Sequence, residues 1–179
     1  MKKGDTRNKK GFTIIEVSLV LAVAGLIFLM IFIALPALQR SQRDTQRRDD
    51  MMELISKIKK YQQNNRGALP TGLSSGVVFN NETTDKTTWE GFYKNYLGDN
   101  FTDPSDDGRY VLDVSNCGDM NPGEACLEQY NEKSFDDVYN HVAIILSATC
   151  DGEKALKTSN PRKLAILYHL ELGVYCGNT

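Results

Sequence analysis

A continuous apolar run near the N-terminus dominates the pattern of hydrophobic and polar positions. From Val17 to Leu38 the only polar side chain is that of Ser18. About 20 such residues, folded as a helix, span the hydrocarbon core of a bilayer. Gly25 and Pro36 interrupt the run, and membrane helices tolerate both residue types. The pattern therefore predicts one membrane-spanning helix.

A cleaved secretory signal is the alternative reading of this run. Such signals have a shorter apolar stretch that a small-residue cleavage site follows. Ala22-Val23-Ala24 lies in the middle of the run, where a peptidase at the membrane surface cannot reach it. A cut near Ala34 or Ala37 is disfavoured, because Pro36 lies between these two residues and the cleavage-site pattern around it is poor. The run favours a retained anchor.

The helix is predicted to continue beyond the apolar run. Residues 39–50 are polar throughout, and without an apolar stripe they are expected to form a solvated neck with no face to bury. Apolar residues then recur at helical spacing and predict a face that packs on a sheet. These residues are Met51, Leu54, Ile55, Ile58 and Tyr61. Asn64-Asn65-Arg66-Gly67, with Pro70 beyond, predicts the end of the helix.

Three later segments have the patterns of β-strands. Tyr110–Ser115 and Lys163–Cys176 alternate between apolar and other residues, and His141–Cys150 is a near-continuous apolar run. Shorter elements are expected around Val77–Phe79 and Trp89–Tyr93. Strands that follow one long helix predict an α+β fold, with a small antiparallel sheet laid on the apolar face of the helix.

Charge is concentrated at the N-terminus. The whole chain of 179 residues has a formal net charge of −2. The first eleven residues are basic, with Lys2, Lys3, Arg7, Lys9 and Lys10 against Asp5. The remainder is acidic, which excludes a basic domain for sequence-independent nucleic-acid binding. The basic leader favours an N-terminus inside the cell, although Arg40, Arg43, Arg47 and Arg48 follow the apolar run.

The four cysteines settle the orientation in favour of a head outside the cytoplasm. Cys117, Cys126, Cys150 and Cys176 all lie in the last third of the chain, and an even number in an exported domain indicates disulfides. A zinc site is the alternative, but the cysteines lack the close spacing of zinc ribbons. Strand parity places Cys150 and Cys176 on the core face of neighbouring strands. A Gly- and Pro-containing loop separates Cys117 from Cys126, so the pairs 117–126 and 150–176 are favoured among three connectivities.

The residues around the start of the apolar run form a specific motif. Lys9-Lys-Gly-Phe-Thr-Ile-Ile-Glu-Val17 resembles the processing site of type IV pilins and related pseudopilins. The resemblance implies that a prepilin peptidase cuts between Gly11 and Phe12 and that Phe12 is then N-methylated. Glu16 becomes the fifth residue of the mature chain, where the family carries the Glu used in filament assembly. Tyr61–Pro70 and Leu170–Cys176 are similar to the end of the first helix and to the closing strand of such proteins.

The resemblance also implies a division of the chain and a set of partners. Residues 1–11 are a cleaved leader, 12–38 the transmembrane and polymerisation helix, 39–66 a helical neck and head-packing helix, and 67–179 a globular head. The partners are the prepilin peptidase, the pilus assembly machinery, the membrane before assembly, and other copies of the chain in a helical homopolymer. Surface ligands and DNA stay open as further partners. The precursor would cross the bacterial cytoplasmic membrane once, and the assembled form would be a cell-surface filament.

The predicted function is that of a structural subunit in a type IV pilus or related filament, which serves attachment, twitching motility or DNA uptake. A type II secretion pseudopilin or a minor pilin is the nearest alternative. A monomeric, membrane-anchored binding protein is the alternative from another class.

The sequence indicates neither a catalytic site nor a cofactor. His141 and His169 are the only histidines, and no serine elbow, phosphate-binding loop or His–Glu helix motif accompanies them. An acidic loop offers calcium candidates, since hard cations prefer oxygen ligands, although the same residue types are ordinary turn formers. The candidates are Asp99, Asp103, Asp106 and Asp107.

Overall fold

The structure is a computed structural model that describes residues 11–72, 74–77, 82–104, 108–126 and 140–179. The chain divides into two compact units, Met1–Ser41 and Gln42–Thr179. The basic residues of the leader, Val78-Phe79, and the calcium candidates Asp106 and Asp107 lie outside the described residues.

One long helix, α1, extends from Ile14 to Asn64 and includes Pro36. Its end is where the sequence predicts it. Arg66 and Gly67 adopt left-handed backbone angles, with φ of 56° and 83°. The Gly67 N–H donates to the Gln62 carbonyl at 2.7 Å, a contact across the last turn that is typical of a helix C-terminus.

The remaining elements form two sheets and a short helical segment. In chain order they are β1 (Ser74–Val77), α2 (Trp89–Phe92), a π-helical turn (Tyr93–Leu97), β2 (Val111–Asn116), β3 (His141–Leu146), β4 (Ala148–Asp151), β5 (Lys154–Lys157), β6 (Leu164–Leu170) and β7 (Gly173–Asn178). The large sheet has the order β1-β2-β3-β6-β7, and β4 pairs with β5 in a separate hairpin sheet. The predicted α+β class is confirmed.

One strand pair of the large sheet is parallel. In β2 and β3, Leu112 is paired with Val142 and Val114 with Ile144, and both strands run in the same direction. The other three pairs are antiparallel. A parallel pair requires a long connection, and the chain between Asn116 and His141 is long enough to return to the start of the sheet. The sheet is therefore mixed and not wholly antiparallel.

The apolar run 141–150 forms two strands instead of the one that was predicted. Ser147 has a φ of 56°, which turns the chain out of the large sheet after β3 and into the small sheet at β4. Its N–H donates to the Lys163 carbonyl at 2.8 Å. A continuous apolar run has no periodicity that could mark such a break.

The segment 163–176 likewise forms a hairpin and not a single strand. The chain reverses at Glu171 and Leu172, and Gly173 has a φ of 119°, a conformation that favours glycine. The reversal brings Cys176 opposite Leu167. The apolar alternation continues through Leu172, and this regular pattern conceals the turn.

The large sheet buries both of its faces. One face packs on the predicted helix stripe, and that prediction is confirmed because Met51, Leu54, Ile55, Ile58 and Tyr61 are all buried. The opposite face of the central strands forms a second cluster with Ala148 of β4 and Ala155 of β5. The small sheet therefore covers residues on this opposite face of β6, such as Ala165 and Leu167.

Both disulfides belong to this second cluster. The structure joins Cys117 to Cys126 and Cys150 to Cys176. Because Cys176 lies opposite Leu167, it shares the face that points away from α1, and not the helix-packed face that parity along one unbroken strand would give. The 150–176 bridge thus ties the small sheet to the edge strand β7.

Removal of the 150–176 bridge is expected to lower the free energy of unfolding of the head by about 2–5 kcal/mol. The double variant Cys150→Ser/Cys176→Ser, compared with wild type in urea, measures the loss. Peptide mapping of exported wild-type protein without reduction should recover Cys150 linked to Cys176, and Cys117 linked to Cys126. Free thiols or bound zinc in that material would contradict the assignment.

Candidate functional site

The start of α1 is the first candidate site, because it carries the residues of the proposed processing junction. Gly11 and Phe12 precede the helix, and the Phe12 side chain is 90% exposed. Thr13 lies immediately before the first helical residue, and its carbonyl accepts the N–H of Val17 at 3.3 Å. Thr13 therefore occupies the N-cap position of the helix.

Thr13 and Glu16 form a reciprocal capping box. Glu16 Oε2 accepts hydrogen bonds from the Thr13 N–H and the Thr13 hydroxyl, both at 2.9 Å. The Glu16 N–H donates to Thr13 Oγ1 at 3.3 Å. Two backbone donors at the helix start are thereby satisfied by two side chains. The resemblance to pilins gives Glu16 a role in assembly alone, although the Thr-x-x-Glu spacing is a visible signal of this second role.

The helix that follows exposes apolar side chains around its circumference. By length and composition it can cross a membrane, and none of its most apolar window is buried within the chain. Ser18 donates its hydroxyl to the Ile15 carbonyl at 3.0 Å, so this polar group is satisfied within the helix. A Cβ added at Gly25 would meet nothing within 4 Å. An apolar surface of this extent requires a membrane or other apolar helices around it.

The second site lies where α1 meets the head, and it corrects the prediction for the neck. Arg47 is 1% exposed and Asp44 is 6% exposed, so this part of the neck is not simply solvated. An apolar stripe is unnecessary here, because each buried charge has an oppositely charged partner.

Arg47 binds the carboxylate of Asp103 with two hydrogen bonds. Nε lies 2.9 Å from Oδ2 and Nη2 lies 3.2 Å from Oδ1. The Tyr168 hydroxyl donates to the same Oδ2 at 2.6 Å. Nη1 of Arg47 also contacts Asp44 Oδ1 at 3.3 Å. This planar two-point contact is the strong form of an arginine–carboxylate pair.

A second set of contacts holds the turn between β6 and β7. Asp44 accepts the N–H groups of Glu171 and Leu172 at 2.9 and 3.1 Å. Arg43 binds Glu171 through Nε at 2.6 Å and through Nη2 at 3.0 Å. We call Arg43, Asp44, Arg47, Asp103 and Glu171 the neck clamp. Its helical members lie within about one helical turn of each other. A short stretch of α1 therefore binds both the β6–β7 turn and Asp103 in the interior of the head.

Two tyrosines complete the buried polar region. Burial raises the pKa of Tyr110 and of Tyr168, so both hydroxyls remain protonated donors. Tyr110 donates to Asp50 at 2.8 Å, and burial raises the pKa of Asp50 while this hydrogen bond opposes the rise. Burial is the largest single influence on Arg47 and lowers its pKa, but the hydrogen bonds to Asp103 and Asp44, together with the nearby Asp103 and Tyr168 groups, outweigh burial and raise the pKa. The guanidinium is therefore charged at every working pH.

The two calcium candidates that the structure describes, Asp99 and Asp103, lie in different surroundings. Both oxygens of Asp103 accept hydrogen bonds from Arg47, so this carboxylate belongs to an ion pair, while Asp99 lies in an exposed turn. Among the residues that the structure describes, no group of three or more His, Cys, Asp or Glu side chains could hold a metal ion. Nothing in the sequence pattern linked Asp103 to Arg47, which is 56 residues away.

A family model described as the prokaryotic N-terminal methylation motif matches residues 6–32. The match includes the Gly11–Phe12 junction, the capping box and most of the apolar run. Residues 6–32 therefore carry this motif, which is the class III signal peptide motif found in type IV pilins. No curated protein and no solved structure matched the chain.

Proposed function

We propose that this chain is a structural subunit of a type IV pilus or a related extracellular filament. A prepilin peptidase cleaves it between Gly11 and Phe12, Phe12 is N-methylated, and the exposed apolar helix packs with other copies in the filament. The observation that carries the proposal is the matched methylation motif at the start of a helix whose apolar side chains are exposed in the single chain.

The location of each part follows from the same features. Before assembly, the apolar helix anchors the precursor in the cytoplasmic membrane with the basic leader inside the cell. The two disulfides support a head that folds on the oxidising side. Assembly then requires machinery in the membrane that transfers the helix from lipid to a filament of like chains. No catalytic role for the head is part of this proposal.

Native material is expected to begin at Phe12 and to carry one additional methyl group. The junction lies before the helix, where the backbone is outside the hydrogen-bonded helical turns and can enter a peptidase. Intact-mass measurement and N-terminal sequencing of protein extracted from the source cells measure both changes. A chain that begins at Met1, or near residues 34–37, would contradict processing at this junction.

Electron microscopy of sheared surface material distinguishes the possible roles. An antibody to the head that labels filaments along their length supports a filament subunit, while label confined to filament tips supports a minor subunit. Filaments confined to the envelope and dependent on a secretion system support a pseudopilin. Label restricted to the membrane, with no filaments, would support a monomeric anchored protein and contradict the proposal.

A further inference from the structure

The register of the large sheet places both histidines of the chain on the face that points away from α1. In the antiparallel pair of β3 and β6, Val142 is paired with Tyr168. Continued by one residue beyond this last pair, the register places His141 opposite His169. Residues directly opposite each other share a face, and their Cβ atoms are about 4.5–5.5 Å apart. Both side chains are partly exposed, so solvent reaches this end of the sheet.

A carboxylate on the next strand orients one of the imidazoles. Asp113 Oδ2 lies 2.5 Å from His141 Nδ1. The parallel register pairs Val111 with His141, so Asp113 is two residues further along β2 and on the same face. The side chains of His141 and Asp113 are 30% and 13% exposed. The contact is therefore neither fully solvated nor part of the core.

This contact fixes the proton on the ring. An ionised carboxylate only accepts hydrogen bonds, so Nδ1 of His141 must carry the proton that it donates to Asp113. In the neutral ring the lone pair is then on Nε2. Histidines that bind metals commonly have this arrangement, with one ring nitrogen donating to a carboxylate and the other on the metal.

We propose that His141 and His169 together bind a divalent transition-metal ion, each through one ring nitrogen, and that Asp113 positions His141. Each imidazole has two ring nitrogens, so a hydrogen bond at one is compatible with coordination through the other. Imidazole pairs suit Zn²⁺, Cu²⁺ and Ni²⁺, whereas Ca²⁺ and Mg²⁺ prefer oxygen. The site supplies two protein ligands and leaves the remaining positions to water.

Among the residues described, no group of three His, Cys, Asp or Glu side chains could hold a metal ion, so Asp113 acts on His141 and is not a third ligand. A metal bound by both histidines would link β3 to β6, which an Asp113–His141 contact between β2 and β3 does not. The plain alternative is that Asp113 and His141 form only a structural ion pair between parallel strands.

Zinc titration of the full chain, purified in detergent without a polyhistidine tag, tests the site. Calorimetry should show one Zn²⁺ per chain. His141→Gln and His169→Gln should each lower the affinity at least about tenfold, and Asp113→Asn should lower it about 10–100-fold. Asp119→Asn, at an exposed position, is the matched control and should leave the affinity unchanged. Electron paramagnetic resonance with Cu²⁺ should detect two imidazole nitrogens in wild type and one in each histidine variant.

Fluorescence of the single tryptophan, Trp89, which is fully buried, verifies that each variant remains folded. The proposal is overturned if folded His141→Gln and His169→Gln bind Zn²⁺ as tightly as wild type, or if wild type binds none. A wild-type copper spectrum with one imidazole nitrogen also overturns it. An unchanged affinity in Asp113→Asn would refute the positioning role of the carboxylate.

Discussion

Replacement of Arg47 by alanine is expected to lower the free energy of unfolding of the head by about 3–5 kcal/mol. The loss is large because the guanidinium is almost fully buried and satisfies both oxygens of Asp103. Without it, the buried carboxylate loses this two-point charged partner, and the hydrogen bond from the neutral Tyr168 hydroxyl does not replace it. An unpaired buried charge is far more destabilising than the loss of an exposed ion pair.

Urea unfolding of the full chain in detergent, followed through Trp89 fluorescence, measures this loss. Arg43→Ala is the matched control. It removes an arginine four residues earlier on the same helix, which also binds a carboxylate through two nitrogens, but whose side chain is one-third exposed. A much smaller loss is expected for this variant. Equal losses in the two variants would show that burial of the Arg47–Asp103 pair is not the source of the stability.

The combined variant Arg47→Met/Asp103→Leu/Tyr168→Phe separates the ion pair from packing. It removes the Arg47–Asp103 charges and the hydroxyl together, while Asp44 keeps the N–H groups of Glu171 and Leu172. Apolar side chains of similar size can be nearly as stable as a buried ion pair. Recovery of most of the stability would indicate that the ion pair contributes little net free energy of unfolding. Its main effect would then be to specify the position in which α1 packs on the sheet. A loss larger than that of Arg47→Ala would contradict this interpretation.

The neck clamp shows which part of the fold periodicity can predict. The stripe from Met51 to Tyr61 follows from apolar spacing, because burial of these side chains requires nothing but a facing sheet. Arg47 and Asp103 have no such pattern, since a buried charge is explained only by a partner that is distant in sequence. The sequence rule that charged runs are solvated failed here for that reason.

The two strand errors have a different physical origin. Ser147 adopts a left-handed conformation, which non-glycine residues seldom do, so no residue type marked the end of β3. At Glu171 and Leu172 the apolar alternation continues into a turn whose backbone is held by Asp44. In both places a tertiary contact, and not a local propensity, decides where the strand ends.

The start of α1 has the opposite character, since local sequence carries most of its information. Thr13 and Glu16 are three residues apart, and this spacing alone predicts their reciprocal hydrogen bonds. The structure therefore gives Glu16 a role in the single chain that is independent of any filament. A test of its role in assembly has to separate the two functions.

The two roles use different properties of the carboxylate. The capping box needs an acceptor, which glutamine supplies as well as glutamate. Assembly needs a charge, because packed apolar helices exclude water and a cation on a neighbour would then have to accompany the carboxylate. After cleavage, the Phe12 amine is such a cation, even with one methyl group. Phe12 and Glu16 are four residues apart, which is about 6 Å of helix rise, so a neighbour displaced axially by that distance places its amine beside Glu16.

Glu16→Gln is therefore expected to insert in the membrane at the wild-type level, to retain the capped helix start and to fail to enter filaments. The two hydrogen bonds that Glu16 accepts in the capping box both end on Oε2, which leaves Oε1 outside the box as the oxygen that would meet the neighbour's amine. Glutamine keeps the acceptor and removes the charge. Glu16→Ala removes both and should fail in the same way, whereas Thr13→Ala loses the cap, keeps the charge and should still assemble.

Quantification of sheared filaments and of membrane-bound precursor, with methylation of Phe12 measured in the same strains, separates assembly from insertion and processing. Abundant filaments from Glu16→Gln alone would show that the carboxylate acts through the capping box and that charge pairing does not select the register of incoming subunits.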